Sequence, residues 1–374
     1  MENKLYYLPA VSPPKLAVFK KKGLEETKFW KRTIHYPYML VCAFYGMEYE
    51  NFREFFDIGE DVFILLDSGG FQIVTQEKYI DPLKVLRWQM KTSKYGLILD
   101  VPPYHIQGDS EGAHFDSPNK EYFDKCLDAT YENAKLALEK KDDDFNLYGV
   151  IQGETYEQIE RWFDKLHSLE KEGKEFYGWA LSPKPSNDAN KIAMFAALLL
   201  TKGIHKPLHI LQVSGTEAIT ICAYLQKVIN QPVTIDSSSY GNSSRYGVVF
   251  DPMFLSRRLN FGNNQKIEPF RGKKWYCNCR ACRNMNLEVG EEQFFNKIEI
   301  HNIQKIIDFT DYANMITEDE NYFFKIYLPP HKKLYRACQI IRSVRDKGLE
   351  SVKSQLTELC YVRYNLKQKN IFSF

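Results

Sequence analysis

Short apolar segments alternate with helical segments through the middle of this 374-residue chain. Strand-like runs of Val, Ile, Leu and aromatic residues recur at 62–66, 96–99, 147–151, 176–181, 209–213 and 233–235. Stretches with helical periodicity lie between most of them, at 120–140, 156–171, 187–201 and 216–230. This alternation predicts parallel strands joined by crossover helices. With two less distinct strands, at 38–44 and 247–250, it favours a closed (β/α)8 barrel, a TIM barrel of the α/β class, over an open doubly wound sheet.

Polar residues follow six of the predicted strands. They are Asp67, Asp100, Gln152, Ser182, Ser214 and Asp236. In a (β/α)8 barrel the carboxyl ends of the strands meet at one face, which carries the active site in characterised barrel enzymes. A single Asp at such a position commonly caps the next helix. Three carboxylates and a carboxamide at one mouth favour a catalytic site instead.

The string DSGGFQ at 67–72 directly follows a predicted strand. Its two glycines permit a tight turn and the close approach of a flat ligand, and Phe71 offers a ring for stacking. Gln152 carries a donor and an acceptor on one amide, which suits the edge of a heterocycle. Asp100 can accept two N–H bonds from an edge such as the N1 and 2-amino face of guanine.

Asp236 ends the strand at 233–235 and enters a loop rich in hydroxyl groups. Retaining glycosyl transfer requires two carboxylates, one as the nucleophile at C1′ and the other as acid and base. Asp67 and Asp236 are the candidate pair. Arg245, a little further on, is a candidate to hold a phosphate.

Three of the eight cysteines form the cluster Cys277-x-Cys279-x2-Cys282. Three thiolates and one imidazole make a closed, tetrahedral, structural zinc site. His301 is the candidate fourth ligand, although His331 also follows the cluster; the alternative is a coincidence of three reduced cysteines. The other five cysteines are scattered singly and are predicted to be small core residues.

The net charge of +2 hides a basic C-terminal third. Residues 253–285 hold eight Lys and Arg against one Glu, and residues 325–374 hold eleven against three acidic residues. This asymmetry is typical of nucleic-acid binding proteins, and solvated helix faces account for it equally well. The candidate phosphate-binding residues are Arg245, Lys273, Lys274, Arg280 and Arg283.

The longest apolar run, at 192–200, is nine residues, whereas a membrane span needs about 20. The N-terminal segment MENKLYYLPAVSPPK has no apolar core of a secretory signal. We therefore expect no membrane association and a cytoplasmic location, in the host cytoplasm if a phage encodes the protein.

Seven motifs together resemble those of the tRNA-guanine transglycosylases. In chain order they are DSGGFQ (67–72), LILD (97–100), YGVIQG (148–153), YGWAL (177–181), HILQVSG (209–215), TIDSSS (234–239) and CxCxxC…HN (277–302). They extend over most of the chain, from about 38 to 310. Enzymes of this family are zinc-bearing (β/α)8 barrels that exchange a guanine in nucleic acid for a 7-deazaguanine.

The resemblance implies a role for each matching residue. Asp236 matches the nucleophile and Asp67 the general acid and base. The base-binding groups match Phe71, Asp100, Gln152, Gly153, the backbone of Gly178 and Trp179, and Leu211, of which Phe71 and Leu211 enclose the base. The ligands of one structural Zn²⁺ match Cys277, Cys279, Cys282 and His301.

Three departures distinguish this chain from the bacterial tRNA enzymes. Pro183 stands where those enzymes have a Glu that helps to accept an aminomethyl base, so a neutral substituent such as a nitrile fits better. The arginine-rich segment after the nucleophile is reduced to Arg245, and no tRNA-binding domain of the archaeal kind is appended. The pattern is most similar to the DNA-modifying (DpdA-type) 7-deazaguanine transglycosylases of bacteria and their phages.

We therefore expect a pentosyltransferase that exchanges guanine in DNA for 7-cyano-7-deazaguanine. The alternatives are a tRNA-guanine transglycosylase and an inactive nucleic-acid-binding partner subunit; a homodimer is compatible with the family. The expected division is a barrel at 1–270, a zinc-binding subdomain at 271–305, and basic C-terminal helices at 306–374 that complete the barrel and bind nucleic acid.

Overall fold

A computed structural model shows a closed barrel of eight parallel strands, as the alternating pattern predicted. The structure describes residues 1–72, 80–103, 105–107, 114–116, 120–170, 174–184, 186–251, 258–261, 268–275, 277–285, 287–291 and 293–359. The barrel strands are β1 (Leu5–Val11), β2 (Tyr38–Cys42), β3 (Phe63–Asp67), β4 (Tyr95–Leu97), β7 (Asn146–Ile151), β8 (Gly178–Leu181), β9 (Leu208–Ile210) and β10 (Val233–Ser237). Two antiparallel pairs lie outside the barrel, β5 (His105–Gln107) with β6 (His114–Asp116), and β11 (Val248–Phe250) with β12 (Arg258–Asn260).

The first strand closes the barrel. β1 pairs in parallel with β2 on one side and with β10 on the other, where Leu8 lies opposite Asp236. No strand was expected here, and the segment forms one although it contains Pro9, a residue that is uncommon inside a sheet. The segment at 247–250 was expected to be a barrel strand, and this was wrong: it is β11, which pairs only with β12 among the described residues.

Helices surround the barrel and follow most strands. They are α1 (Pro13–Lys21), α2 (Ala43–Gly46), α3 (Phe52–Phe56), α4 (Pro82–Thr92), α5 (Lys120–Lys140), α6 (Tyr156–His167), α7 (Ala189–Thr201), α8 (Thr216–Ile229), α9 (Ser239–Arg245), α10 (Arg280–Met285), α11 (Phe294–Ile316), α12 (Glu320–Tyr322) and α13 (Lys332–Lys347). The predicted helices at 120–140, 156–171, 187–201 and 216–230 correspond to α5, α6, α7 and α8.

Helix α6 shows how the sequence builds this outer layer. Thr155 accepts a hydrogen bond from the backbone N–H of Gln158, whose side chain reaches back to the cap, so the helix begins with a capping box. Its apolar face is fully buried against the barrel, and the indole of Trp162 donates to the carbonyl of Val150 at 2.9 Å. Burial of such faces stabilises the fold by about 25 cal/mol per Å² of apolar surface.

The C-terminal part continues the helical layer of the barrel. Helix α11 packs on β1, α8 and α9, and it passes through the expected boundary at 305–306 without interruption. Helix α13 packs against α7 and α8. The basic residues beyond 359 lie outside the described residues.

Candidate active site and metal centre

Three aspartates stand at the carboxyl ends of parallel strands and share one mouth of the barrel. Asp67 is the last residue of β3, Asp100 comes three residues after β4, and Asp236 lies near the end of β10. Burial and then the charge of Asp236 raise the pKa of Asp67, and burial and then the charge of Asp67 raise the pKa of Asp100. The three carboxyl groups therefore stand at the same end of the barrel, as the strand-end pattern predicted.

Asp100 is held by the turn after β3 and by Gln152. A side chain at Gly70 would collide with the backbone and carboxylate of Asp100, so only glycine permits this approach. The amide of Gln152 donates to Asp100 Oδ2 at 2.6 Å, and Ser68 Oγ lies 3.4 Å from Oδ1. Burial, followed by the charge of Asp67, raises the pKa of Asp100 from 3.8 to about 6.

Asp236 is bound in a different way. The backbone N–H of Gln212 donates to Asp236 Oδ1 at 2.8 Å. The same oxygen lies 3.3 Å from His209 Nε2, at ion-pair distance but outside hydrogen-bond geometry, while His209 Nδ1 lies 2.9 Å from Thr234 Oγ1. These partners fix the position of the Asp236 carboxyl group.

Asp67 has a different set of partners. Burial is the largest cause that raises its pKa, and the charge of Asp236 adds to it. The thiol of Cys42 and the backbone N–H of Gly69 bind Asp67 and offset part of this rise. A carboxyl group with a raised pKa beside a second carboxyl group is an arrangement that can divide acid and nucleophile roles.

Most of the predicted base-binding residues surround these carboxylates. Gln152 is buried, and its Oε1 has no hydrogen-bond partner among the described residues, which leaves an acceptor for a ligand. Gly153 has φ +145°, and a side chain there would collide with Ile159. Leu211 follows β9 and is partly buried, and Phe71 lies beside Lys184, a residue of the same mouth.

Gly178 and Trp179 are not brought to this mouth. Gly178 pairs with Tyr148 at the amino end of β8, whereas the mouth begins at the other end of this strand, beyond Leu181. The Trp179 ring is fully buried among Phe163 and Phe176, with ring centroids 4.9 and 5.0 Å away. The Trp179 ring therefore belongs to the packing between barrel and helices. The residues that follow β8 at the mouth are Ser182, Pro183 and Lys184.

Sequence reasoning missed two residues of the site, His209 and Lys184. His209 lies in the middle of an apolar strand, where a histidine is usually interpreted as a core residue. Lys184 Nζ donates to Gln212 Oε1 at 3.0 Å and lies 5.7 Å from the ring centroid of Phe71. Its position directly after the strand at 176–181 was the available signal.

The cysteine cluster is assembled with His301 in the fold. Cys277, Cys279, Cys282 and His301 each offer one ligand atom, and these atoms lie within 4.8 Å of one another. The distances from His301 Nδ1 are 3.6 Å to Cys279 Sγ and 3.2 Å to Cys282 Sγ. A tetrahedral Zn²⁺ with bonds of about 2.3 Å to sulfur and 2.0 Å to nitrogen separates such ligands by roughly 3.5 Å. The donor set therefore fits a metal ion such as zinc, and His331 is not part of it.

A hydrogen bond orients the histidine of this cluster. His301 Nε2 lies 2.8 Å from the carbonyl oxygen of Phe250, so Nε2 carries the proton and the Nδ1 lone pair faces the sulfurs. The next residue, Asn302, accepts from Phe250 N at 2.9 Å and donates to the carbonyl of Tyr240 at 3.2 Å. The metal cluster is thereby linked to helix α9, which follows the strand that bears Asp236.

The five predicted phosphate-binding residues are all exposed; they are Arg245, Lys273, Lys274, Arg280 and Arg283. Arg245 ends α9, and its charge acts on the buried Glu299, which pairs with Lys15. Four of the five belong to the same segment as the metal ligands. Two other basic residues of the 253–285 segment, Arg257 and Lys266, lie outside the described residues.

No model of a known protein family matches the chain, and no curated protein matches it. The motifs and the geometry of the mouth are therefore what a functional argument can use. Within the part of the chain that the structure describes, no helix has the length and apolarity that crossing a bilayer requires.

Proposed function

We propose that this protein is a guanine transglycosylase that exchanges guanine in DNA for 7-cyano-7-deazaguanine. The observation that carries the proposal is the pair formed by Asp67 and Asp236. Both stand at the carboxyl ends of strands at the mouth of a (β/α)8 barrel. Burial and then the charge of Asp236 raise the pKa of Asp67, while Asp236 accepts a hydrogen bond from the backbone N–H of Gln212. Five of the seven motifs that resemble those of transglycosylases contribute residues to this mouth, whereas YGWAL and the cysteine motif do not.

The two carboxylates divide the chemistry of the exchange. Asp236 attacks C1′ of the sugar, so that a C1′–O bond forms while the bond from C1′ to guanine breaks. Asp67 gives its proton to the departing guanine. It then takes a proton from the incoming base, whose nitrogen displaces Asp236 and restores the glycosidic bond. One N-glycosidic bond replaces another, so the exchange needs neither ATP nor a redox partner.

The base is held edge-on between the polar residues of the mouth. Asp100, ionised above pH about 6, accepts from N1–H and the 2-amino group of guanine. Gln152 Oε1, which no described residue binds, is a second acceptor, and Phe71 and Leu211 enclose the ring. The target guanine must leave its base stack to enter this buried slot.

In this proposal the metal cluster has a structural role and takes no part in the reaction. A Zn²⁺ with three thiolates and one imidazole has no open position for a substrate, and it would stabilise the fold around α10 and α11. Arg280 and Arg283 lie beside the ligands and are exposed. They would contact backbone phosphates, which gives an affinity that falls with salt and depends little on sequence.

The choice of DNA over tRNA rests on the single arginine after the nucleophile and on Pro183 in place of a glutamate. The decisive experiment incubates the protein with 7-cyano-7-deazaguanine and either duplex DNA, single-stranded DNA or bulk tRNA. The modified nucleoside is then measured by mass spectrometry after digestion. We expect the modified nucleoside in DNA. If it were found in tRNA alone, the proposed reaction would stand, but the substrate would be tRNA.

Substitution of the nucleophile tests the chemistry itself. Asp236→Ala should abolish exchange and the covalent adduct with nucleic acid on a denaturing gel, while binding of nucleic acid persists. Asp164→Asn, at an exposed carboxylate that pairs with Lys202, is the matched control and should exchange normally. Exchange by Asp236→Ala would show that the nucleophile is wrongly assigned. Absence of exchange and adduct in the unmodified protein, with binding retained, would favour an inactive partner subunit.

A further inference from the structure

Lys184 brings a positive charge into a mouth that is otherwise acidic. It follows β8 in the loop after Pro183 and is half-buried. Burial lowers the pKa of Lys184, and the charges of Asp100, Asp236 and Asp67 act in the opposite direction. The charges of all three carboxylates of the site therefore act on the ammonium group of Lys184.

The contacts of Lys184 place its ammonium group at the base slot. Its Nζ donates to Gln212 Oε1 at 3.0 Å and lies 5.7 Å from the centroid of the Phe71 ring. Gln212 also holds Asp236 through its backbone N–H, at 2.8 Å. Lys184 therefore contacts both a residue that encloses the base and the residue that binds the nucleophile.

The acceptor edge of a purine needs a donor that Asp100 and Gln152 Oε1 do not supply. Asp100 and Gln152 Oε1 accept hydrogen bonds, so they suit the N1–H and 2-amino donors. Guanine carries its acceptors, O6 and N7, on another edge, and lysine is a good donor to that edge. In a 7-deazaguanine the substituent on C7 occupies the place next to O6.

We propose that Lys184 determines which base enters, by donating a hydrogen bond to an acceptor group on the O6 and C7 edge and repelling a cationic one. The inference rests on the proposed function and extends it from a neutral base to one with an acceptor at C7, such as a nitrile, amide or carboxylate. An aminomethyl base, which carries an ammonium group, is disfavoured by like charge.

The test measures binding of free bases, which does not require the exchange reaction. Isothermal titration calorimetry compares guanine, 7-cyano-7-deazaguanine and 7-aminomethyl-7-deazaguanine on the complete protein and on Lys184→Met, Lys184→Arg and Lys184→Glu. Lys202→Met is the control, because Lys202 follows α7 and pairs with Glu160 and Asp164, away from the base slot. Exchange is measured in parallel on the same preparations.

We expect the unmodified protein to prefer the cyano base over the aminomethyl base by about tenfold or more, the range for a hydrogen bond to a charged group. Lys184→Met should remove this preference, Lys184→Glu should invert it, and Lys184→Arg and Lys202→Met should keep it. An unchanged preference in Lys184→Met, or no binding of either base, would overturn the inference. Preference without exchange would overturn the proposed reaction and leave the inference standing.

Discussion

Replacement of Asp100 by asparagine should make the protein more stable above neutral pH and weaken its binding of guanine. Asparagine has the shape of aspartate, and its Oδ1 can still accept from Gln152. Alternatively, after a flip of the Gln152 amide, the new amide of asparagine can donate to Gln152 Oε1, which has no partner among the described residues. The substitution therefore removes a buried charge while it keeps the packing.

The direction of the stability change follows from the pKa of Asp100 in the folded and in the unfolded protein. In the folded protein the pKa of Asp100 is raised from 3.8 to about 6. Between these values the folded state still binds the proton and the unfolded state has lost it, so the free energy of unfolding falls as pH rises. Above pH about 6 the free energy of unfolding has fallen by its full amount, about 3 kcal/mol.

Urea unfolding of both proteins at pH 4 and pH 8 measures this effect. At pH 8 Asp100→Asn should exceed the unmodified protein in free energy of unfolding by up to about 3 kcal/mol, and at pH 4 the difference should be near zero. Asp164→Asn, at an exposed surface pair, should show little change at either pH. Equal or lower stability of Asp100→Asn at pH 8 would refute the reasoning that burial penalises the carboxylate.

Two further substitutions test the parts that hold the site together. Cys282→Ser should reduce the bound metal from one equivalent to almost none by atomic spectroscopy and lower the melting temperature; a full complement of metal would contradict the assigned ligand set. His209→Asn keeps a donor toward Thr234 and removes the ring nitrogen that faces Asp236. It should lower the exchange rate by about ten- to hundredfold while nucleic-acid affinity is unchanged, and an unaltered rate would show that His209 serves packing alone.

The barrel and its carboxylates could be predicted because each depends on local sequence. An apolar run followed by a polar residue locates a strand end, and parallel strands place those ends together whatever their order. This is why Asp67, Asp100, Gln152 and Asp236 were found. The metal ligands were found for a similar reason, since three cysteines within six residues of chain have the spacing that a zinc ion requires.

The remaining features depend on contacts that no local pattern records. Pro9 conceals the strand β1, which is formed by pairing with β2 and β10. The backbone of Gly178 and Trp179 was assigned to the base slot from a short motif, yet Gly178 lies at the amino end of β8, away from the mouth. Lys184 resembles a solvated loop lysine until the fold places it near three carboxylates.

Gln212 shows a further limit of local patterns. Its φ is +63°, a conformation that costs a non-glycine residue about 1–2 kcal/mol. The strain turns its backbone N–H toward Asp236 and its side chain toward Lys184. Nothing in the string HILQVSG predicts this conformation, because it is imposed by both contacts together.

During synthesis the barrel cannot close until β10 has been made, because β10 pairs with β1. One edge of β1 can pair with β2 early, but its other edge needs β10. About 220 residues separate these strands, and translation at 5–20 residues per second takes roughly 10–45 s to supply them. For that interval the nascent sheet has two open edges, which can pair with a neighbouring chain on the same message. Release of native protein from ribosomes should therefore depend on chaperones that cover the first strand.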